Sequence, residues 1–244
     1  MAISAGPATY GLGNGASDVT SGAIDTTGMD YIAVYVAYHD AFGEVTVSDS
    51  KSNTWTAKTI YTQGTVGVPR LRLFECFSPT SVGSGHTFST NGSLFAVMAV
   101  MAFSGVQTAS DPLDAEVGGS AYGTVSKIGS STLTPSVDGC VVLACAALQE
   151  PGGSGTAVGG GFTEAVYQDR NSGGLSHYGI MLSYLIQTTA AAVSSSTTIG
   201  SWTSDVYNTY SGAAVKPAGG GGGGSAATPD PVVHSQAVHR ASRW

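Results

Sequence analysis

The histidines are the residues of this sequence best suited to nucleophilic chemistry, because a catalytic hydroxyl or thiol needs a neighbouring imidazole and an orienting acid. No Gly-x-Ser-x-Gly turn, which would present a nucleophilic serine, occurs in the chain. His39 and Asp40 are adjacent in a predicted turn, where neighbouring side chains do not form a catalytic pair. His86 and His177 lie in or beside predicted strands, where each can simply pack against a sheet. The sequence therefore predicts no catalytic residue and no enzyme.

A short acidic segment, Asp111–Glu116 (DPLDAE), is the other group of side chains that could bind a ligand. Calcium takes carboxylate oxygens from segments of this kind, so Asp111, Asp114 and Glu116 are candidate ligands. The alternative is structural, since Asp-Pro also starts turns. No Cys-x-x-Cys pair indicates structural zinc, and the three cysteines are expected to be buried, reduced thiols. We expect no metal and no cofactor, with these three carboxylates as the remaining calcium candidates.

Aromatic side chains could stack on sugar rings if they lie on an exposed sheet surface. Trp55 and Trp202 are the candidates for such glycan stacking, and Tyr207 and Tyr210 could serve as well. The alternative is that these rings pack in the core or against a neighbouring strand, as aromatic residues in sheets commonly do.

Charge and hydropathy limit the partners. A net charge of −7 disfavours nucleic acid. Gly11–Ala16 (GLGNGA) resembles a dinucleotide fingerprint, but no buried strand precedes it and no helix follows. The longest apolar run, Leu94–Phe103, has the length of a strand and is too short for a membrane span. Because the N-terminal residues MAISAGPATYGLGNG have neither the basic nor the apolar region of a secretory signal, we expect no signal peptide and no membrane partner.

The elements that must position these residues are β-strands throughout. Tyr31–Tyr38 is a continuous apolar run, whereas Gly43–Asp49 and Asn53–Tyr61 alternate with a period of two, and turn-forming residues separate the three. Leu94–Phe103 and Cys140–Leu148 read as further core strands. In all, about eleven to thirteen strands predict an all-β, antiparallel, jelly-roll-like sandwich of two packed sheets. We expect strands of the two halves of the chain to pair with each other.

A change of composition follows Lys216. Residues 1–218 are predicted to form the β-sandwich domain, 219–224 are an unbroken glycine linker, and 225–244 form a C-terminal arm that is disordered or extended. Within the arm, Val232 and Val233 favour strand formation and Trp244 is a large apolar terminus, so these residues are candidates for contact between subunits.

Several phrases resemble a β-sandwich module of bacteriophage virion proteins, such as capsid decoration and fibre proteins, and of bacterial surface proteins. The resemblance covers roughly residues 20–215, and it implies a building or adhesion module without a catalytic residue. The phrases are Val47–Thr56 (VSDSKSNTWT), Arg72–Ser78 (RLFECFS), Gly83–Phe88 (GSGHTF), Phe103–Val106 (FSGV), Asp111–Ala115 (DPLDA) and Gly161–Thr163 (GFT).

Together these features favour a virion structural protein, most simply a capsid decoration (cement) or outer-shell component. It is expected to be made in the host cytoplasm and to reside in the extracellular particle. Its partners would be other virion proteins and further copies of itself, with a trimer as the favoured state. The alternatives are a carbohydrate-binding module or tail adhesin that contacts a cell-surface glycan, and a polysaccharide-degrading enzyme, which would need two carboxylates across a cleft.

Overall fold

The computed structural model describes residues 1–13, 18–39, 43–62, 69–91, 95–123, 127–129, 132–149, 156–168, 178–199 and 206–219. These residues form strands, turns and loops without a helix, which confirms the predicted all-β, antiparallel sandwich.

The strands fall into two groups of eight, which we name the first unit and the second unit. The first unit contains β1 (Ser4–Leu12), β2 (Val19–Thr20), β3 (Tyr31–His39), β4 (Val47–Asp49), β5 (Thr56–Tyr61), β6 (Pro69–Phe77), β7 (Phe88–Thr90) and β8 (Val97–Ser104). The second unit contains β9 (Leu113–Gly123), β10 (Lys127–Gly129), β11 (Val141–Gln149), β12 (Thr156–Val158), β13 (Thr163–Gln168), β14 (Tyr178–Ile186), β15 (Ser196–Ile199) and β16 (Val206–Val215).

Each unit has a jelly-roll topology. In the first unit the strand order is β1-β8-β3-β6-β5 in a five-stranded sheet and β2-β7-β4 in a three-stranded sheet. The second unit has the orders β9-β16-β11-β14-β13 and β10-β15-β12. Strands that follow each other in sequence thus alternate between the two sheets of a unit, as nested hairpins do in a jelly roll, except that β5 pairs with β6 and β13 pairs with β14.

The expectation that strands of the two halves pair is wrong for the described residues. Every ladder joins strands of the same unit, and the two units meet instead through the faces of their five-stranded sheets. An isolated bridge between Val106 and Pro217 connects the ends of β8 and β16 across the units. The physical reason is that each unit already contains the return strands that satisfy the backbone groups of its own sheets.

Among the described residues, three hydrophobic cores hold the layers together. The largest lies between the two five-stranded sheets and contains Tyr31, Tyr35 and Leu143. A second core fills the space between the sheets of the first unit, and a third does so in the second unit. The central strands are therefore covered on both faces, which explains why Tyr31–Tyr38 is apolar throughout and fully buried. Each large apolar side chain buried there contributes on the order of 1.5–3 kcal/mol.

The connection between the units starts at a tight turn after β8. The carboxylate of Asp30 accepts hydrogen bonds from the backbone N–H groups of Gly105 and Val106, at 2.8 and 3.1 Å. Gly105 has a φ of +79°, and a Cβ there would collide with the carbonyl oxygen of Ala2. Close by, the amine of Met1 donates to the carbonyl of Ala218 at 2.8 Å. The end of the sandwich body therefore lies beside its first residue.

Candidate functional site

The acidic segment leads into strand β9, and its three carboxylates have different surroundings. Strand β9 begins at Leu113, so Asp111 precedes the strand, whereas Asp114 and Glu116 belong to it. Asp111 contacts Lys58 Nζ at 2.6 Å. Asp114 accepts hydrogen bonds from the backbone N–H and the hydroxyl of Ser136, both at 2.5 Å. Asp114 and Glu116 are two positions apart, but β9 has a bulge between Leu113 and Ala115 that interrupts the regular alternation of side chains at Asp114, so the carboxylates do not converge.

Glu116 lies on the face of β9 that is directed toward the first unit. Its Oε1 is buried without a hydrogen-bond partner. Burial, followed by the charge of Glu116, raises the pKa of Tyr61 to about 12. Within the described ranges, no group of three histidine, cysteine, aspartate or glutamate side chains is arranged to hold a metal ion. The calcium candidates therefore have separate structural surroundings.

A buried polar cluster, which we name the histidine network, lies in the first unit. It is built by Asp49 at the end of β4, His86 just before β7 and Thr26 in the loop before β3. The side chains of Asp49 and His86 are fully buried, as is Thr26. His86 is fixed by backbone hydrogen bonds of 2.9 Å in both directions with Ile24. Three loops thus deliver a hydroxyl, an imidazole and a carboxylate to one place.

The imidazole of His86 lies between the other two groups. His86 Nδ1 is 2.9 Å from Thr26 Oγ1, and His86 Nε2 is 3.3 Å from Asp49 Oδ1. Burial lowers the pKa of His86, although the charge of Asp49 acts in the opposite direction. The ring is therefore neutral at neutral pH. A hydrogen on Nε2, facing the carboxylate, leaves Nδ1 to accept from the Thr26 hydroxyl.

Asp49 also organises the turn that follows β4. Its Oδ1 accepts from the backbone N–H groups of Lys51 and Asn53, at 2.7 and 3.3 Å, and its Oδ2 accepts from Trp55 Nε1 at 2.8 Å. Asn53 in turn exchanges hydrogen bonds with the backbone of Ser81, at 2.9 and 3.0 Å. The phrases VSDSKSNTWT and GSGHTF, on which the family resemblance rests, are therefore brought together by this network.

The histidine network has the order of groups found in a hydrolase triad, but its geometry serves the fold. A nucleophile must reach a substrate carbonyl. The hydroxyl of Thr26 is buried and accepts a hydrogen bond from Gly83 N–H at 3.1 Å. His86 stacks on Phe88 with ring centroids 4.4 Å apart, so the imidazole is covered on that side. We assign the network to cross-linking of three loops over the core of the first unit.

A second polar cluster, the glutamate cluster, lies at the rim of the interface between the units. Glu75 on β6 is fully buried, and its Oε1 is 2.5 Å from the ammonium of Lys58 on β5. Tyr31 on β3 donates its hydroxyl to Glu75 Oε2 at 3.1 Å. Asp111, in the connection between the units, contacts the same ammonium at 2.6 Å. One cation is thus shared by two carboxylates.

This arrangement sets the charge of Glu75. Burial raises the pKa of Glu75 to about 7, and the neighbouring Lys58 only partly offsets that increase. The pKa of Asp111 is lowered: burial opposes the change, but hydrogen bonds from Lys58 and from the backbone N–H of Leu113 outweigh it. As the pH rises, the half-exposed carboxyl group of Asp111 therefore loses its proton first, and the buried carboxyl group of Glu75 keeps its proton until near neutral pH.

The predicted glycan-stacking residues have different positions. Trp55 packs edge-on against Phe88, with ring centroids 5.9 Å apart, and its indole N–H is bound by Asp49. Trp202 lies outside the described residues. Tyr207, one of the predicted candidates, is half-buried and pairs across the strands with Tyr122, their ring centroids 4.4 Å apart. Tyr122, which was not among the predicted residues, is 54% exposed.

Of the remaining sequence predictions, one is confirmed and the other concerns residues outside the described part of the chain. Cys76, Cys140 and Cys145 are free and buried, as predicted, and burial raises the pKa of Cys76 to about 12. The arm residues Val232, Val233 and Trp244 lie outside the described part of the chain. Among the described residues, no helix is long and apolar enough to cross a membrane.

Comparisons of the chain with protein-family models, with curated proteins and with solved structures found no match.

Proposed function

We propose that this protein is a structural component of a virion shell, in the manner of a capsid decoration protein, and that it acts by assembling with copies of itself and with other shell proteins. The observation that carries the proposal is the four-layer body, in which two jelly rolls pack sheet against sheet. Jelly rolls recur in viral capsids and in lectins, so this is an argument by analogy of fold.

The positions of the reactive groups support a building role over a catalytic one. Thr26, His86 and Asp49 form a hydroxyl–imidazole–carboxylate series that is buried and connects three loops. The carboxyl group of Glu75 and the ammonium of Lys58 contact each other at 2.5 Å at the rim of the interface between the units. In both clusters the groups capable of chemistry stabilise the sandwich.

The proposed assembly device is the segment after the body. Gly219 lies next to the amine of Met1, so the arm starts at the end of the body where β8 and the first residues meet. The 26 residues from Gly219 to Trp244 could span about 85–90 Å when fully extended. That reach is sufficient for an arm that binds a neighbouring subunit.

Deletion of Gly219–Trp244 is expected to leave a folded body that assembles more weakly. We expect the far-ultraviolet circular dichroism spectrum to be retained, because the described sheets end before Gly219. Light scattering coupled to size exclusion over a concentration series should show a shift to smaller species, at least tenfold in the midpoint concentration, or about 1.4 kcal/mol.

A second variant keeps the length of the arm and replaces Val232, Val233 and Trp244 by serine. It should weaken assembly as the deletion does. Equal assembly of the full-length and truncated proteins would contradict the arm's role. Mass spectrometry of purified particles provides the direct test of the virion proposal.

A carbohydrate-binding role is the second candidate, and the Tyr122–Tyr207 pair, in which Tyr122 is exposed, is the observation that favours it. Stacking on a sugar ring requires an accessible aromatic face. Glycan-array binding that is lost in Tyr122→Ala and retained in Trp55→Phe would support this role. Absence of binding to any glycan on the array would leave the structural role as the better account.

A further inference from the structure

The two units correspond strand by strand and residue by residue. In the first unit, Tyr31 on the central strand pairs with Phe77 on one side and Phe103 on the other. In the second unit, Val141 on the central strand pairs with Ile186 and Val215. The registers therefore superimpose β3 on β11, β6 on β14 and β8 on β16.

The irregularities of the sheets recur as well. The bulge of β5 begins where Ala57 pairs with Phe74, and the bulge of β13 begins where Glu164 pairs with Ser183. By the register above, Phe74 and Ser183 are equivalent positions. Because a bulge is a specific local feature that related proteins retain, its recurrence at one position is unexpected for two unrelated sheets.

Isolated bridges and single hydrogen bonds follow the same correspondence. Bridges join Ile24 to His86 in the first unit and Leu133 to Val193 in the second. The hydrogen bond from Ser78 N–H to Asp30 O, 3.0 Å long, has its counterpart from Gln187 N–H to Cys140 O at 2.9 Å. Equivalent loops thus close in the same way over both units.

The packing between the units is symmetric in the same sense. Strand β6 packs against β16, and the equivalent strand β14 packs against β8. Likewise β5 lies against β9, and its equivalent β13 lies against β1. Each unit therefore uses one surface patch to contact the same patch of the other, which is the arrangement of a twofold dimer.

We infer that the chain contains two copies of one jelly roll, and that the copies bind each other through this interface as the subunits of a dimer do, without needing the covalent connection. The partner that the face of each five-stranded sheet fits is therefore a second copy of the same unit. This inference does not depend on the virion proposal.

The two copies have diverged in their polar groups. Val193 occupies the position of His86, and Tyr184 occupies that of Glu75, so the second unit lacks both polar clusters at these positions. The rim of the interface at Glu75 is consequently polar, whereas the equivalent position in the second unit holds Tyr184, which packs against the hydrophobic core between the units. Asp111 lies in the connection that leads into the second unit, and its carboxylate contacts Lys58 of the first unit.

The test keeps the full chain and cuts it only after folding. A protease recognition sequence is inserted between Thr108 and Ala109, which lie in the exposed connection between β8 and β9. After complete cleavage, the two fragments should elute together at the mass of the intact protein and keep its circular dichroism spectrum. Fragments that separate in native buffer, or that lose the β-sheet spectrum on cleavage, would overturn the inference.

A substitution in the cut protein tests the polar rim of the interface. Asp111→Asn should raise the dissociation constant of the fragments by about fivefold to tenfold, since it removes a contact across the cut. Asp114→Asn is the matched control, because Asp114 binds Ser136 within the second unit. Equal dissociation constants for the two variants would show that the Asp111 contact does not join the units.

Discussion

Replacing Asp49 with alanine should lower the free energy of unfolding by about 3–5 kcal/mol. The carboxylate accepts from the N–H groups of Lys51 and Asn53 and from the indole of Trp55, and it faces His86. Alanine removes the acceptor and leaves these partly buried donors without it. Each unsatisfied group costs about 1–3 kcal/mol, and water can replace only some of the partners.

Urea denaturation with circular dichroism measures the effect, and two variants bracket it. Asp25→Ala is the control for losing an aspartate from the same unit, because Asp25 is exposed and binds only Thr27 in its own turn; little change is expected. Asp49→Asn keeps one acceptor oxygen and should fall between the two. A loss below about 1 kcal/mol for Asp49→Ala would mean that the network does not support the fold.

The fold class follows from side-chain patterning. The apolar run Tyr31–Tyr38 corresponds to β3, and the run Cys140–Leu148 corresponds to β11, both central strands covered on two faces. A strand's pattern shows which of its faces are buried but not which strand it pairs with. For this reason the sequence did not reveal that each half of the chain closes its own pair of sheets.

The internal repetition is hidden because it resides in the backbone. Equivalent central positions hold Tyr31 and Val141, and equivalent rim positions hold Glu75 and Tyr184. Both members of each pair satisfy the same requirement for a side chain that fills the interface. The two units resemble each other in strand register, bulges and isolated bridges, and these features can be compared only once the pairing of the strands is known.

The polar clusters also join residues that are distant in sequence. Asp49 and His86 come from two loops, and Lys58 and Asp111 are 53 positions apart. The sequence did contain a signal, since both phrases that contribute to the histidine network were singled out for their resemblance. The sequence of these two phrases did not indicate that their polar side chains face the core and contact each other.

The glutamate cluster should make stability fall as pH rises toward neutrality. Burial raises the pKa of Glu75 from its usual value of 4.5 to about 7. Between these values the folded protein holds a proton that the unfolded chain has released. The contribution is therefore complete below about pH 4.5, declines as the pH rises to about 7 and is lost above it, with a total of about 3 kcal/mol.

Glu75→Gln should remove this decline, because glutamine resembles the protonated carboxyl and can still accept from the hydroxyl of Tyr31. Relative to the parent protein, the variant is expected to gain about 2–3 kcal/mol on going from about pH 5 to about pH 8. The titration of His86 is common to both proteins, so it cancels in the difference. Urea denaturation at several pH values provides the measurement.

Lys58→Met should have the opposite effect, and the pair of variants decides the mechanism. Without the ammonium, the charged form of Glu75 loses its partner, so its pKa rises further and the decline continues above about pH 7. If both variants keep the parent's pH dependence, Glu75 does not titrate in the folded protein as its surroundings indicate. If only Glu75→Gln differs, burial alone sets the pKa, and Lys58 acts mainly on Asp111.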